Sequence, residues 1–353
     1  MIDVFQPEFI PGLALAERFY REVVGPLLCS EFANLRHSAA LIGSGSEVLG
    51  FDTPMSTDHD WGPRVQLFLA ADEYAQVAPS IEQFLHERLP QHFLGYPTRF
   101  DSDDHHRVTI TTVRDFCNEY LAFDIANEIE PPDWLTIPQQ KLRTITSGAV
   151  FHDDLGLQTV RERFTWYPRD VWLYLLVAGW ARVGQEDHLM GRAGFVGDEL
   201  GSALIASRLV RDLMQLCFLM ERQYAPYPKW FGTAFGKLAC APSLTPVLQR
   251  VQLATTWPER QNQFNAACAQ VAALHNTLGI TDAVPVHVAS FHTRPFDVLN
   301  TGDICDALLA QIADENVKRL ANKRLIGSID QFSDSTDLRE DTKRRSILKK
   351  LCE

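Results

Sequence analysis

Residues Ile42–Gly62, IGSGSEVLGFDTPMSTDHDWG, bring four glycines and three aspartates into one stretch of an otherwise evenly composed chain. Spacing decides what kind of loop this is. A dinucleotide-binding turn needs a third glycine at position 48, where a helix packs closely on a strand, and Val48 stands there. A P-loop has the right interval between Gly45 and Gly50, but Phe51 and Asp52 occupy the places of its lysine and hydroxyl. No glycines four apart bracket Ser44 or Ser46, as a nucleophile elbow requires. What remains is Gly45-Ser46, then eleven residues, then Asp58-His59-Asp60.

Asp58 and Asp60 stand at the entrance to a strand expected over 64–69 (RVQLFL). In an extended chain, residues two apart share a face, so their carboxylates repel unless a cation lies between them. Mg2+ is the natural guest, being hard and usually held by one or two carboxylates with substrate phosphates and water. Gly45-Ser46, read as a turn at a helix start, offers backbone N–H groups and a hydroxyl to those phosphates. Ser56 precedes the acidic pair and can orient its turn. The plain alternative for Asp58 and Asp60 is a solvated turn, and an isolated Asp-x-Asp favours it.

Working outward, residues 11–28 place Leu15, Phe19, Val23 and Leu27 at intervals of four, which predicts a helix with Pro11 near its first turn. A helix is expected over 77–90 and a strand over 108–113 (VTITTV). Beyond Glu130-Pro131-Pro132 the periodicity is helical, over 168–184, 198–222, 260–278 and 303–313. The fold class is therefore α+β: a mixed sheet with flanking helices over residues 1–135, an all-helical domain over 136–332, and a polar, mobile tail over 333–353.

The chain has 353 residues and a net charge of −12, which disfavours nucleic acid and anionic membrane as partners. Seven scattered cysteines without a C-x-x-C pair read as reduced thiols, and the start MIDVFQPEF shows no basic region followed by an apolar run. The expected location is cytoplasmic. The most apolar window, 171–181, is too short to cross a bilayer and reads as a buried helix.

The pattern Gly45-Ser46, Gly50, Ser56, Asp58-x-Asp60 resembles the active-site signature of the DNA polymerase β-like nucleotidyltransferases, and in these features is similar to the kanamycin and lincosamide nucleotidyltransferases. Segments such as GSEVLGFDT, DHDWGPRV, DVWLYLL, GRAGFVGDELGS, RLVRDLMQLCFLMERQYAPYPKWFG and RPFDVL, across residues 12–330, resemble a bacterial family catalogued as domain of unknown function 4037. These resemblances imply a nucleotidyltransferase fold in the N-terminal domain and a helical C-terminal domain. The likeness to domain of unknown function 4037 implies no substrate; the expected activity is a Mg2+-dependent transfer of a nucleoside monophosphate from a nucleoside triphosphate, ATP first among them, to the hydroxyl of a small-molecule or protein acceptor. Gly45 and Ser46 would hold phosphate, and Asp58 and Asp60 the metal. The rival expectation is a non-catalytic nucleotide sensor or interaction module with a degenerate site; a toxin-neutralising or defence-linked partner is a third.

The superfamily's further carboxylate, a metal ligand and often the general base, is where the chain departs from the pattern. VTITTV carries none; Asp104 and Asp115 flank it, with His106 beside the first, although DSDDHH also reads as an exposed turn. Lys229 and Lys237, eight residues apart in YAPYPKWFGTAFGKL, are expected near one helix face as phosphate contacts, or else as surface lysines. His152-Asp153 reads as a turn or helix cap rather than a phosphohydrolase pair. His105-His106, His287 and His292 lack zinc-site spacing. Residues 191–201 read as a glycine-rich loop with Asp198 as N-cap, in which Arg192, Asp198 and Glu199 are weaker candidates for a substrate role.

Overall fold

The structure, a computed structural model, describes residues 8–58, 61–100 and 105–352, with Asp58 described by its backbone alone. The chain divides into two compact units, residues 1–128 with 141–165 and residues 129–140 with 166–353.

The first unit opens with helix α1 (Gly12–Phe19), a π turn over Tyr20–Val24, and α2 (Gly25–Glu31). The single helix expected over 11–28 is thus interrupted. Pro26 has no N–H to continue the ladder, and the Gly25 N–H reaches back five residues to the Tyr20 carbonyl. Strand β1 (His37–Leu41), the long loop, β2 (Val65–Leu69) and α3 (Ala71–Arg88) follow, then a short hairpin of β3 (His92–Phe93) and β4 (Tyr96–Pro97). Next come β5 (Val108–Thr111) and α4 (Val113–Leu121); α5 (Pro131–Thr136) and the first two residues of α6 (Gln139–Thr146) belong to the second unit, and the rest of α6, β6 (Ala149–Asp153) and α7 (Leu157–Glu162) complete the first.

Four of these strands form one mixed sheet in the order β5-β2-β1-β6. β1 runs antiparallel to both neighbours, with Ala40 opposite Gln66 and Ala39 opposite His152, whereas β5 runs parallel to β2, Val65 opposite Val108. β1 and β2 are buried almost throughout, so their runs HSAAL and VQLFL lack the polar–apolar alternation of a half-exposed sheet. Leu15 and Phe19 of α1 join Val65, Leu67 and Leu69 in the core of this unit.

Strand β6 lies in AVFHD, read in sequence as part of a turn. The cap expected there is present all the same. The Asp153 carboxylate accepts the Ser38 hydroxyl at 2.6 Å and the Leu157 and Gln158 N–H groups at the start of α7, each at 2.9 Å.

The second unit carries α8 (Arg169–Phe195), α9 (Glu199–Met220), α10 (Pro228–Phe235), α11 (Ala241–Leu253) and α12 (Trp257–Thr277). A hairpin of β7 (Val288–Ser290) and β8 (Asp297–Leu299) follows, so this helical region is not all-helical. It ends with α13 (Thr301–Leu309), α14 (Glu315–Ala321), α15 (Ile329–Phe332), α16 (Thr336–Glu340) and α17 (Arg345–Lys349). Residues Val171 to Trp180 of α8 are buried as expected for that apolar window, and no described helix is long and apolar enough to cross a membrane.

Two expectations change in this unit. The glycine loop over 191–201 shrinks to residues 196–198, because α8 continues through it. A Cβ at Gly191 would come within 2.9 Å of the Phe296 ring, and one at Gly194 within 2.1 Å of the Trp257 Cβ, so these glycines serve close packing inside a helix. Asp198 does cap α9, accepting the Gly201 N–H at 2.7 Å, and Glu199 accepts Trp257 N–H and Arg260, each at 3.0 Å. The segment 333–353, expected as a mobile tail, holds two short helices, and Arg345 is buried against Asp133 at 2.5 Å with Lys349 as a further partner.

Candidate functional site

Where β1 ends, the backbone of Ile42 is held from both sides by the Gln66 side chain, which accepts its N–H and donates to its carbonyl at 2.9 Å. The Gly43 N–H donates to the Thr144 carbonyl at 3.0 Å. Arg64, at the foot of β2, donates to the Ser44 carbonyl at 3.1 Å and pairs with the buried carboxylate of Glu47. Gly45 threads between the two at φ +145°, where a Cβ would lie 2.7 Å from both the Arg64 Nη2 and the Glu47 Oε2.

From Ser46 the chain makes one closed turn rather than the expected helix start. Phe51 N–H donates to the Ser46 carbonyl and Gly50 N–H to the Glu47 carbonyl, at 3.0 and 3.1 Å, the paired bonds of a Schellman turn. Gly50 supplies its left-handed residue, at φ +66°. The N–H groups of Ser44, Gly45 and Ser46 find no acceptor among the described residues.

The loop then returns to β2. Asp52 straps it to the start of α1, accepting Gly12 N–H at 2.7 Å and the Trp61 indole N–H at 3.1 Å. A 3-10 turn over Pro54–Asp58 follows. Ser56 orients it: its hydroxyl accepts the Thr53 N–H at 3.0 Å while its own N–H donates to the Thr53 carbonyl at 2.8 Å. The backbone of Asp58 closes that turn. Asp60 lies outside the described residues, as does Asp104.

Sheet topology sorts the remaining carboxylate candidates. Because β1 is antiparallel to β2 and β5 is parallel to it, the loop after β1 and the approach to β5 reach the same end of the sheet. On that approach, the Arg107 carbonyl accepts the Val65 N–H at 3.0 Å, and its guanidinium lies 4.4 Å over the Phe100 ring. His106 is buried, with Nε2 3.1 Å from a Glu82 carboxylate oxygen. Asp115 follows the opposite end of β5. There it closes the first turn of α4 with Thr112, whose hydroxyl donates to its carboxylate at 2.7 Å and accepts its N–H at 3.0 Å. Strand β5 itself holds no carboxylate.

Helix α6 supplies cations that the sequence did not single out. Lys141 is buried, with Nζ 5.3 Å over the Tyr120 ring, and that ring lies 3.7 Å from where a Gly43 Cβ would stand. Tyr120 is held by its hydroxyl on Thr144 Oγ1 at 2.5 Å and by stacking on Phe116. The Arg143 guanidinium stands 5.8 Å over the Phe51 ring, and burial pushes its pKa down. Arg161 fixes the end of the helix, donating to the carbonyls of Ile145, Thr146 and Ser147 at 2.8, 3.0 and 2.7 Å. In PQQKLRTIT nothing distinguishes Lys141 and Arg143 from the polar residues of an ordinary helix; the Gly43–Thr144 bond and the Arg143–Phe51 contact do.

Lys229 and Lys237 lie in the second unit. Lys229 is exposed on α10 with Nζ 5.0 Å over the Trp230 ring. Lys237 follows the end of that helix, which stops at Phe235, so the two do not share a helical face.

Residues 134–231 match the family model described as Domain of unknown function (DUF4037). The match supports the likeness drawn from the sequence. Its segment begins after the glycine loop and takes in α6, β6 and the long helices α8 and α9. DUF4037, as its description says, carries no assigned activity, so chemistry has to be argued from the residues. No curated protein matches the chain.

Proposed function

We propose that the chain is a Mg2+-dependent nucleotidyltransferase that moves a nucleoside monophosphate from a nucleoside triphosphate, ATP in the first instance, to the hydroxyl of an acceptor. The observation that carries the reading is the row of N–H groups over Ser44–Ser46 that have no acceptor among the described residues, in the loop that leaves the C-terminal end of β1 and whose sequence carries Asp58-x-Asp60 ahead of β2. Those donors suit the β- and γ-phosphates, with the Ser46 hydroxyl beside them. Asp58 and Asp60 are hard oxygen donors of the kind that hold Mg2+, which when bound neutralises phosphate charge. Lys141 and Arg143 stand beside the glycine loop and replace Lys229 and Lys237 as the preferred cationic contacts. Asp104 stays the candidate for the further carboxylate, since the Asp115 carboxylate serves α4. Alignment and charge neutralisation, the main needs of phosphoryl-type transfer, are what this set of groups supplies.

Calorimetric titration of ATP with and without Mg2+ tests the proposal. Asp58→Ala with Asp60→Ala is expected to abolish Mg2+-dependent binding; unchanged affinity and metal dependence would remove the basis of the reading. The uncharged strand β5 favours a second reading, a nucleotide-binding module without turnover. It predicts ATP binding without pyrophosphate release in a cell extract supplying acceptors.

A further inference from the structure

The other end of β1 presents a different group of side chains. His37 opens β1 and His152 lies in β6, and the antiparallel pairing of these strands, with a register shift between Ala39 and Ala40, brings their imidazoles together. The ring centroids are 4.5 Å apart with planes inclined by 30°. Asp154, just past β6, places Oδ2 2.8 Å from the His152 Nε2. One donor atom from each of His37, His152 and Asp154 falls within 4.8 Å of the others. The three line a cavity of about 610 Å³ whose far wall comes from the α1–α2 segment, including Tyr20 and Cys29.

His37 is oriented as metal-binding histidines are. Its Nδ1 lies 3.1 Å from the Leu35 carbonyl, a bond that places the proton on Nδ1 and the lone pair on Nε2. The Tyr20 hydroxyl lies 2.8 Å from that Nε2, so it marks the direction in which the lone pair points.

We propose that His37, His152 and Asp154 form a binding site for one divalent transition-metal ion of the zinc class, with a remaining coordination position open to the cavity. Two imidazoles and a carboxylate are the donor set of zinc sites that keep a place for an exchangeable ligand, and the nitrogen pair selects against Mg2+ and Ca2+. Bonds of about 2.0–2.2 Å in tetrahedral geometry put donor atoms about 3.4 Å apart. The side chains of His152 and Asp154 are 38% and 43% exposed and free to close the difference, while the Tyr20 hydroxyl turns aside into the cavity. The site does not depend on the nucleotidyltransferase reading, since it shares no residue with the glycine loop.

The test uses the full chain, stripped with a chelator and titrated with Zn2+ against a chromophoric competitor. One Zn2+ per chain is expected. His37→Ala and His152→Ala should each weaken binding by more than the roughly 10–100-fold that follows when only a residue behind a metal ligand is changed. Asp58→Ala with Asp60→Ala should leave Zn2+ affinity unchanged. His152 is partly exposed, so His152→Ala reports on binding even if His37→Ala perturbs folding. A wild-type chain that takes up no Zn2+ overturns the proposal, and so does unchanged affinity in His152→Ala, which would put the ion elsewhere.

Discussion

Replacing Glu47 with alanine should loosen the glycine loop by an amount that its surroundings allow to be worked out. The Glu47 carboxylate is 3% exposed and Arg64, its partner, 21%. Removing one member of a fully buried pair costs about 3–5 kcal/mol, because the other charge is left without compensation. Here Arg64 keeps the Ser44 carbonyl and a path to water, which lowers the expected cost to about 2–3 kcal/mol. The loss should be local. Hydrogen exchange in peptides spanning residues 42–50 should quicken by about 30–150-fold, with little change in the second unit. The same loosening should weaken ATP binding if the open N–H groups are a phosphate seat. The effects of Glu47→Ala and Arg64→Ala should sum to more than that of the double replacement, with a coupling of at least about 1 kcal/mol. Exchange over 42–50 within twofold of wild type, or strictly additive single replacements, would refute the claim that this ion pair sets the loop.

Two further outcomes separate competing assignments. Lys141→Met should weaken ATP binding by about tenfold or more, as the loss of a charge-assisted hydrogen bond does, while Lys229→Met leaves it unchanged; the reverse pattern would return the phosphate contact to α10. In the second unit, burial pushes the Asp187 carboxyl up to about 7. Its folded form therefore holds a proton that the unfolded chain releases near pH 4, so this contribution is complete below about pH 4 and is lost as pH rises through about 7. Urea midpoints followed from pH 4 to 8 should fall across that window by the equivalent of at most about 4 kcal/mol, and Asp187→Asn should flatten the slope.

The features legible in sequence were those carried by local pattern. Strands β2 and β5 and helices α8, α9 and α12 announce themselves through apolar period and flanking turn residues, because burial on one face leaves a periodic trace. The loop after β1 was legible by elimination, from Val48 and the missing lysine after Gly50. Two things hid from that logic. Strand β6 mixes alanine, valine, phenylalanine and histidine at half-buried positions with an exposed aspartate, too short and too polar for an alternation to stand out. The glycines at 191 and 194 signal a loop by composition, yet they are where α8 needs no side chain at all, and only their packing against Phe296 and Trp257 discloses it.

The two candidate sites divide along the same line. Gly45, Ser46, Asp58 and Asp60 lie within one loop, so their spacing can be read along the chain. His37 and His152 come from strands remote in sequence, and the β1–β6 register alone makes them neighbours. Lys141 and Arg143 belong with the histidines in this respect, brought to the glycine loop by backbone bonds from Gly43 to Thr144 and from Gly148 to Val48. Strand β1 ties both sites to one element, the glycine loop leaving its C-terminal end and His37 standing at its N-terminal end. About 13 Å of strand lies between those ends at a rise of about 3.3 Å per residue. A Zn2+ titration and an ATP titration on the same set of variants should therefore respond independently. A variant of His152 that altered ATP affinity, or of Asp60 that altered Zn2+ affinity, would mean that β1 couples two sites which its geometry holds apart.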